Sequence, residues 1–248
     1  MNKLQDKTHV FLSKNPKIGF LIYELVRKLK KIKNRSELDN FYYLKNLGFE
    51  PNVVYDVGAN RGEWSRNLKE IFKKADFYMF DPQTEMEPFL KKFTKDYDGS
   101  KYFCLALGEE EKTETIGIWP GYYGTTFLHK NLNLEKRDVP VQSINNLIKN
   151  GSIPMPDILK MDVQGFEMNI LKGSTDCFKY TEVIILETYL YSFLHKQPIF
   201  SEIVNYMHKN GYEIFDFAPF NRHKKTKMLR YFDTIFIKKD SQIRKKAA

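Results

Sequence analysis

Four acids close or interrupt apolar runs in this chain. Asp56 lies within Val53-Val54-Tyr55-Asp56-Val57, Asp81 follows Phe77-Tyr78-Met79-Phe80, Asp162 follows Ile158-Leu159-Lys160-Met161, and Glu187 follows Val183-Ile184-Ile185-Leu186. A parallel sheet collects its ligands at the carboxyl ends of its strands, so acids placed there face bound molecules. The first run continues into Gly58-Ala59-Asn60-Arg61-Gly62. Glycine adopts backbone conformations closed to other residues and leaves room for a ligand against the main chain. A helix opening at Gly62 points free N–H groups into the same space. The D-x-G-x-N-x-G spacing differs from the G-x-G-x-x-G of a dinucleotide site, whose second glycine lets a diphosphate approach. An acid at this strand end instead suits a cationic or hydroxyl-bearing ligand. S-adenosylmethionine offers a sulfonium, an ammonium and a ribose, and Asp81 can take both ribose hydroxyls. Asp56 and Asp81 can each equally cap a following helix or turn.

The second pair of acids suits proton or metal chemistry. A lysine inside an apolar strand needs a carboxylate to answer it. Period-two alternation puts Lys160 and Asp162 on one face, with Glu187 of a neighbouring strand as the expected partner. Asp162 and Glu187 at adjacent strand ends can take a proton from an acceptor hydroxyl or together hold a divalent metal. The alternative is a buried Lys-Asp-Glu network that only fixes the strands. His129 and His195 are further base candidates.

Positioning these residues requires strands that alternate with helices. Strand-like runs cover Val53–Val57, Asp76–Phe80, Tyr102–Leu107, Ile158–Val163, Val183–Thr188, Tyr212–Phe217 and Thr234–Lys238. Helical patterns cover Gly62–Lys73, Glu85–Lys95, Ile144–Lys149, Phe166–Lys172 and Phe200–Asn210. This rhythm predicts an α/β fold with a mostly parallel sheet and helices on both faces; the last strand should be antiparallel, because no helix separates it from the one before. Between Thr113 and Pro140, Gly117, Pro120, Gly121 and Gly124 interleave with Trp119, Tyr122, Tyr123 and Phe127. That composition predicts an irregular hairpin or lid over the strand ends.

Three segments are expected: a basic amphipathic helical appendage over 1–40, a catalytic domain over 41–240, and a disordered tail over 241–248. In the appendage, Phe20, Leu21, Tyr23, Leu25, Val26, Leu29 and Ile32 make an apolar face followed by Lys28, Lys30, Lys31, Lys33 and Arg35. Such a helix can lie on an anionic membrane or pack on the domain. The 248 residues, 42% of them apolar, suffice for one sizeable core. Forty Lys and Arg against thirty-one Asp and Glu give a net charge of +9, which favours anionic partners. Two cysteines, Cys104 and Cys177, exclude a disulfide framework or a zinc cluster and fit a reducing cytoplasm. No cleavable signal is visible, and no run approaches the ~18 apolar residues of a spanning helix.

The Asp56–Gly62 turn, the Lys160-x-Asp162-Val163-x-Gly165-x-Glu167 segment followed by Leu171-Lys172-Gly173, and Phe232-Asp233-Thr234-Ile235-Phe236 together resemble the FkbM family of S-adenosylmethionine-dependent methyltransferases. The resemblance runs from about Asn52 to Lys239. It implies a class I methyltransferase fold, Rossmann-like and seven-stranded with the last strand antiparallel, and methyl transfer to a hydroxyl oxygen of a sugar, a glycan or a related natural product. It also implies that Asp56, Gly58, Asn60 and Gly62 contact the amino-acid part of the cofactor and Asp81 its ribose. Leu107, closing the third strand run, joins them as an expected cofactor contact. Asp81, Gln164 and Asn145 depart from the commonest family pattern, leaving Asp162, Glu167 and Glu187 as the acids to test. The expected acceptor is a glycan, anionic or lipid-linked. RNA is the rival acceptor, because basic and aromatic residues interleave over Tyr212–Tyr231. A non-catalytic cofactor-binding or scaffold protein is the third reading.

Overall fold

The computed structural model describes residues 38–128 and 133–247, so residues 1–37 of the expected appendage, and His129, lie outside the described residues. Seven strands form the central sheet: β1 (Val53–Val57), β2 (Asp76–Phe80), β3 (Lys101–Phe103), β7 (Ile158–Met161), β8 (Val183–Tyr189), β9 (Tyr212–Arg222) and β10 (Leu229–Lys238). Their order is β3-β2-β1-β7-β8-β10-β9. All pairings from β3 to β8 are parallel, and β10 runs antiparallel to both its neighbours. The chain winds outward from β1 to β3, then returns to place β7 on β1's other side. This reversal makes a switch point at the carboxyl ends of β1 and β7, where loops diverge and a crevice opens.

Strand alternation divides the core between two faces. Val54, Phe77, Met79, Ile158, Ile185 and Ile235 pack under α1 (Asp39–Asn46), α2 (Glu63–Ile71) and α3 (Glu87–Asp96). Tyr55, Val57, Phe80, Leu159, Met161 and Leu186 pack under α4 (Ile144–Lys149), α5 (Glu167–Lys172) and α6 (Phe200–Lys209). Asp56, Lys160, Asp162, Glu187 and Asp233 share the parity of the first set. The five charged residues therefore project to one side of the sheet.

Four elements differ from expectation. The run Tyr102–Leu107 divides: Lys101–Phe103 joins β2 at the sheet edge, whereas β4 (Ala106–Leu107) pairs with β6 (Glu135–Gln142). Together with β5 (Lys112–Ile118), these make a second, three-stranded sheet that carries the expected lid. Strands β9 and β10 extend well beyond their apolar runs, because hairpin pairing needs backbone partners and not apolar side chains; Pro219 is tolerated because β9 is the edge strand. The expected disordered tail instead carries α7 (Gln242–Ala247). Burial of Ile243, a 2.6 Å ion pair from Arg244 to Glu213, and a hydrogen bond from Lys246 to the Leu47 carbonyl hold it to the domain. No helix among the described residues is long and apolar enough to cross a membrane.

Candidate active site

A cavity of about 520 Å³ opens at the switch point. At its first end, Gly58 leaves β1 with φ 77°. A Cβ there would stand 2.1 Å from the Asp162 carbonyl oxygen, so the close approach of the two strand ends admits only glycine. The next turn residue, Asn60, directs its amide N–H to Asp81 Oδ2 at 2.7 Å. Asp81 Oδ1 accepts from the Gln83 amide at 2.9 Å and from Gln83 Nε2 at 3.4 Å. Asp81 is 2% exposed, and burial pushes its pKa up to about 6 against the pull of those hydrogen bonds. A carboxylate offers about four acceptor sites, so these three bonds leave room for an incoming hydroxyl.

The roof comes from the β5–β6 connection. Asn60 Nδ2 and Gln83 Nε2 both donate to the Tyr122 carbonyl, at 3.0 and 3.3 Å, and Thr125 Oγ1 donates to Gln83 Oε1 at 3.0 Å. These bonds lay the segment Tyr122–Phe127 along the cavity, as the lid expectation requires. Leu107, Phe80 and Phe127 supply apolar wall.

At the other end, Gln164 ties two acids together. Its Nε2 donates to Asp162 Oδ1 at 2.8 Å and to Glu187 Oε2 at 3.1 Å. The Gln164 backbone is left-handed, with φ 57°, an uncommon state for a non-glycine residue that turns its amide back between the strand ends. Glu187 Oε2 also accepts a short hydrogen bond from the Tyr189 hydroxyl. Burial, followed by the charges of Asp162 and Glu167, holds the Glu187 carboxyl well above the usual carboxylate range. Asp233 stands opposite Glu187 in the β8–β10 register and lines the same cavity.

Lys160 is answered, but by different acids from the one expected. The strand neighbour is β1, whose Asp56 is in register with it. Lys160 Nζ lies 3.3 Å from Asp56 Oδ1 and 3.6 Å from Asp162 Oδ2, beneath the Trp64 ring. Burial alone would lower the lysine pKa; Asp56, Asp162 and Asp233 outweigh it and hold it raised.

The structure therefore brings Gly58, Asn60, Asp81, Leu107, Asp162 and Glu187 onto one cavity wall. Asp56 is behind that wall, with its oxygens taken by Lys160 and by Ser65 Oγ at 2.6 Å. Gly62 is also off the wall and serves as the left-handed residue before α2. Glu167 folds the turn: its Oε1 accepts from the Val163 and Gly165 amides at 3.1 and 3.2 Å, and burial pushes its pKa up to about 7. His195 is exposed and does not line the cavity, because Gln197 Oε1 accepts the Phe193 and Leu194 amides and pins that loop outside. Sequence reasoning missed Asp233 as a wall residue; an acid within the apolar run Phe232–Phe236 was the available signal. It also missed Gln83, whose role depends on a roof 39 residues away.

Among the described residues, no three His, Cys, Asp or Glu side chains are grouped to hold a metal ion. The expected metal pair, Asp162 and Glu187, has the Gln164 amide between its carboxylates. The wall carries four acids, Asp81, Asp162, Glu187 and Asp233, and no Lys, Arg or His among its described residues. Acids beside apolar rings fit a ligand with a sulfonium, an ammonium, a ribose and an adenine.

This strand order, with a cavity at the switch point, is the class I methyltransferase fold. The chain belongs to the FkbM methyltransferase family: the model described as Methyltransferase FkbM domain matches residues 56–214. It is 25% identical over 155 residues to the hexuronic acid methyltransferase AglP of Haloferax volcanii, a match covering 62% of this chain and 62% of that protein. The plantazolicin methyltransferase BamL superposes with a TM-score of 0.48 at 13% identity, over 94% of both chains. Magnesium protoporphyrin IX methyltransferase from Synechocystis PCC 6803, solved with bound S-adenosylmethionine, gives 0.46 at 11% identity over 79% of this chain and 74% of that one.

Proposed function

We infer that the protein transfers a methyl group from S-adenosylmethionine to a hydroxyl oxygen of a sugar unit in a glycan. The observation that carries this reading is the cavity wall with four acids and no cation among its described residues. The cofactor supplies an electrophilic methyl group on a positively charged sulfur, and an acidic wall favours that charge. Asp81 takes a ribose hydroxyl, Gly58 and Asn60 border the amino-acid part, and Leu107 packs on apolar surface. Asp162 receives the acceptor hydroxyl's proton: its side chain is 38% exposed, against 6% exposure for Glu187 as a whole, and Gln164 and Lys160 hold it in place. Gln164 and Glu187 act through Asp162 as positioning residues. Holding the acceptor oxygen in line with the methyl–sulfur bond supplies much of the acceleration.

A sugar acceptor is supported by the name of the relative, hexuronic acid methyltransferase. The free thiols Cys104 and Cys177 suit the cytoplasm, and residues 1–40 suit contact with an anionic membrane face. RNA is the less favoured acceptor, since its phosphates would meet acids along the wall.

Calorimetry with S-adenosylmethionine, followed by assays for S-adenosylhomocysteine release with glycan or RNA, tests this reading. Glycan-dependent release is expected. Release with RNA alone would reassign the acceptor, and no cofactor binding would return the chain to a scaffold role.

A further inference from the structure

Strands β9 and β10 outrun the sheet. Pairing between β10 and β8 ends at Tyr231–Tyr189, whereas β9 and β10 remain paired as far as Arg222–Leu229. The root of this arm belongs to the cavity, which Phe220, Asn221 and Tyr231 line. Phe220 is 54% exposed although it is a large apolar ring. Phe217 and Phe232 buttress it at centroid distances of 6.3 and 5.6 Å, and Tyr189 supports Tyr231 at 5.2 Å. An exposed ring and a half-buried one, each backed by other rings at the mouth of an acid-walled cavity, mark a ligand surface.

The tip beyond them has the opposite charge from the cavity. Arg222, His223, Lys224, Lys225 and Lys227 are all exposed. Among the described residues, no carboxylate lies within salt-bridge distance of any of them. The turn is nevertheless ordered: Lys227 N–H donates to the His223 carbonyl at 2.9 Å, His223 N–H to Met228 at 2.8 Å, and Arg222 Nη1 to the Lys227 carbonyl at 3.2 Å. Lys224 follows Asn221 by three residues and Lys227 precedes Tyr231 by four, a reach of at most about 10–13 Å at ~3.3 Å per residue, since part of each path is turn. Acids at the reacting centre, aromatic rings at the mouth and unpaired cations further out would sort one ligand along its length. Its hydroxyl enters, its ring stacks, and its anionic end stays outside.

We propose that the β9–β10 arm is a subsite for a sugar linked to a diphosphate, with the ring on Phe220 and Tyr231 and the diphosphate on Arg222, Lys224, Lys225 and Lys227. This rests on the sugar-methylation reading above and adds what the acceptor's far end carries. Four cations gathered at the end of β9 and in the ordered turn after it match an anion of more than one charge. RNA fits less well, because it carries phosphate at every nucleotide and would press anions onto Asp162, Glu187 and Asp233.

The test uses the full chain saturated with S-adenosylhomocysteine. Binding is measured by calorimetry for glucose, UDP-glucose, undecaprenyl-diphosphate N-acetylglucosamine in detergent micelles, and a short single-stranded RNA. At least one glycosyl diphosphate should bind about tenfold or more tightly than glucose, with a preference that weakens in high salt. The UDP arm and the lipid arm tell a nucleotide carrier from a lipid one. In K224E/K225E/K227E that preference should vanish while S-adenosylhomocysteine affinity and melting temperature stay unchanged. A preference that survives in this variant, or its absence from the unsubstituted protein, overturns the subsite alone, as does tighter binding of RNA. Absence of S-adenosylhomocysteine binding overturns the methyl-transfer reading and the subsite with it.

Discussion

The two ends of the cavity hold their acids by different means. At the β1–β2 end, main-chain amides of Asn60 and Gln83 fix Asp81. At the β7–β8–β10 end, the side chains of Gln164, Lys160 and Tyr189 fix Asp162 and Glu187. A main-chain donor persists whatever side chain it carries, so the first end is set by the path of the turn. A side-chain donor disappears with one substitution. On the proposed reading the first end takes the cofactor and is bound to the fold itself, whereas the second takes the acceptor and can be altered residue by residue.

The sharpest way to break this contrast is at Gly58. Gly58→Ala places a methyl group 2.1 Å from the Asp162 carbonyl at a left-handed backbone position, so the variant should fail to accumulate as folded protein. Gln164→Ala should still fold. Soluble yield and thermal melts check both, and a Gly58→Ala protein with the normal melting temperature would erase the distinction.

At the acceptor end, Asp162→Asn keeps its shape and should retain cofactor binding while losing about 10²- to 10⁴-fold in turnover. Glu187→Gln should cost less, roughly tenfold or under, because the buried carboxyl is already held toward its protonated form, which an amide resembles. Equal losses in single-turnover assays would make Glu187 a second proton acceptor. Full turnover in a destabilised Asp162→Asn would reduce the whole cluster to a strand-fixing network.

Glu167, in the turn after β7, gives a pH-dependent effect. Its folded pKa of about 7 lies above the ordinary 4.5, so between those values the unfolded chain releases a proton that the folded protein keeps. Stability from this group therefore falls as pH rises through that window. In Glu167→Gln, Oε1 can still accept from Val163 and Gly165, and the cost is removed. The variant should gain up to about 3 kcal/mol over the parent at pH 8 and almost nothing at pH 4. Denaturant melts at both values measure the difference, and a gain at pH 4 would contradict it.

An effect of the same order as that of Glu187→Gln belongs to Asp81→Ala, which should weaken S-adenosylmethionine about tenfold with the fold intact. Unchanged calorimetric affinity would move the ribose elsewhere.

The same contrast decides what could be read in the chain. Strands β1 and β2 coincide with their apolar runs, and Gly58, Asn60 and Asp81 sit within one strand–turn–helix and its neighbour, so local pattern was enough. The acceptor end depends on partners distant in sequence. Asp56 and Lys160 are 104 residues apart, and only the β1–β7 register makes them neighbours. Asp233 reaches the wall because β10 pairs back onto β8, and His195 misses it because its loop is pinned by Gln197. Of the second sheet only the hairpin between Thr113 and Pro140 was legible, for another reason: β4 is two residues long, and β6 carries Glu135, Lys136, Arg137 and Asp138 in place of an apolar run.

The proposed reaction delivers a methyl group within the cavity to a sugar hydroxyl. Its most direct test follows the label. The protein is incubated with S-adenosylmethionine carrying an isotopic methyl group and with glycans from cells that lack this protein, and the products are sequenced by mass spectrometry. One labelled methyl ether on a sugar oxygen is expected, absent with Asp162→Asn. Label in RNA or protein, or on a sugar carboxylate as an ester, would contradict it.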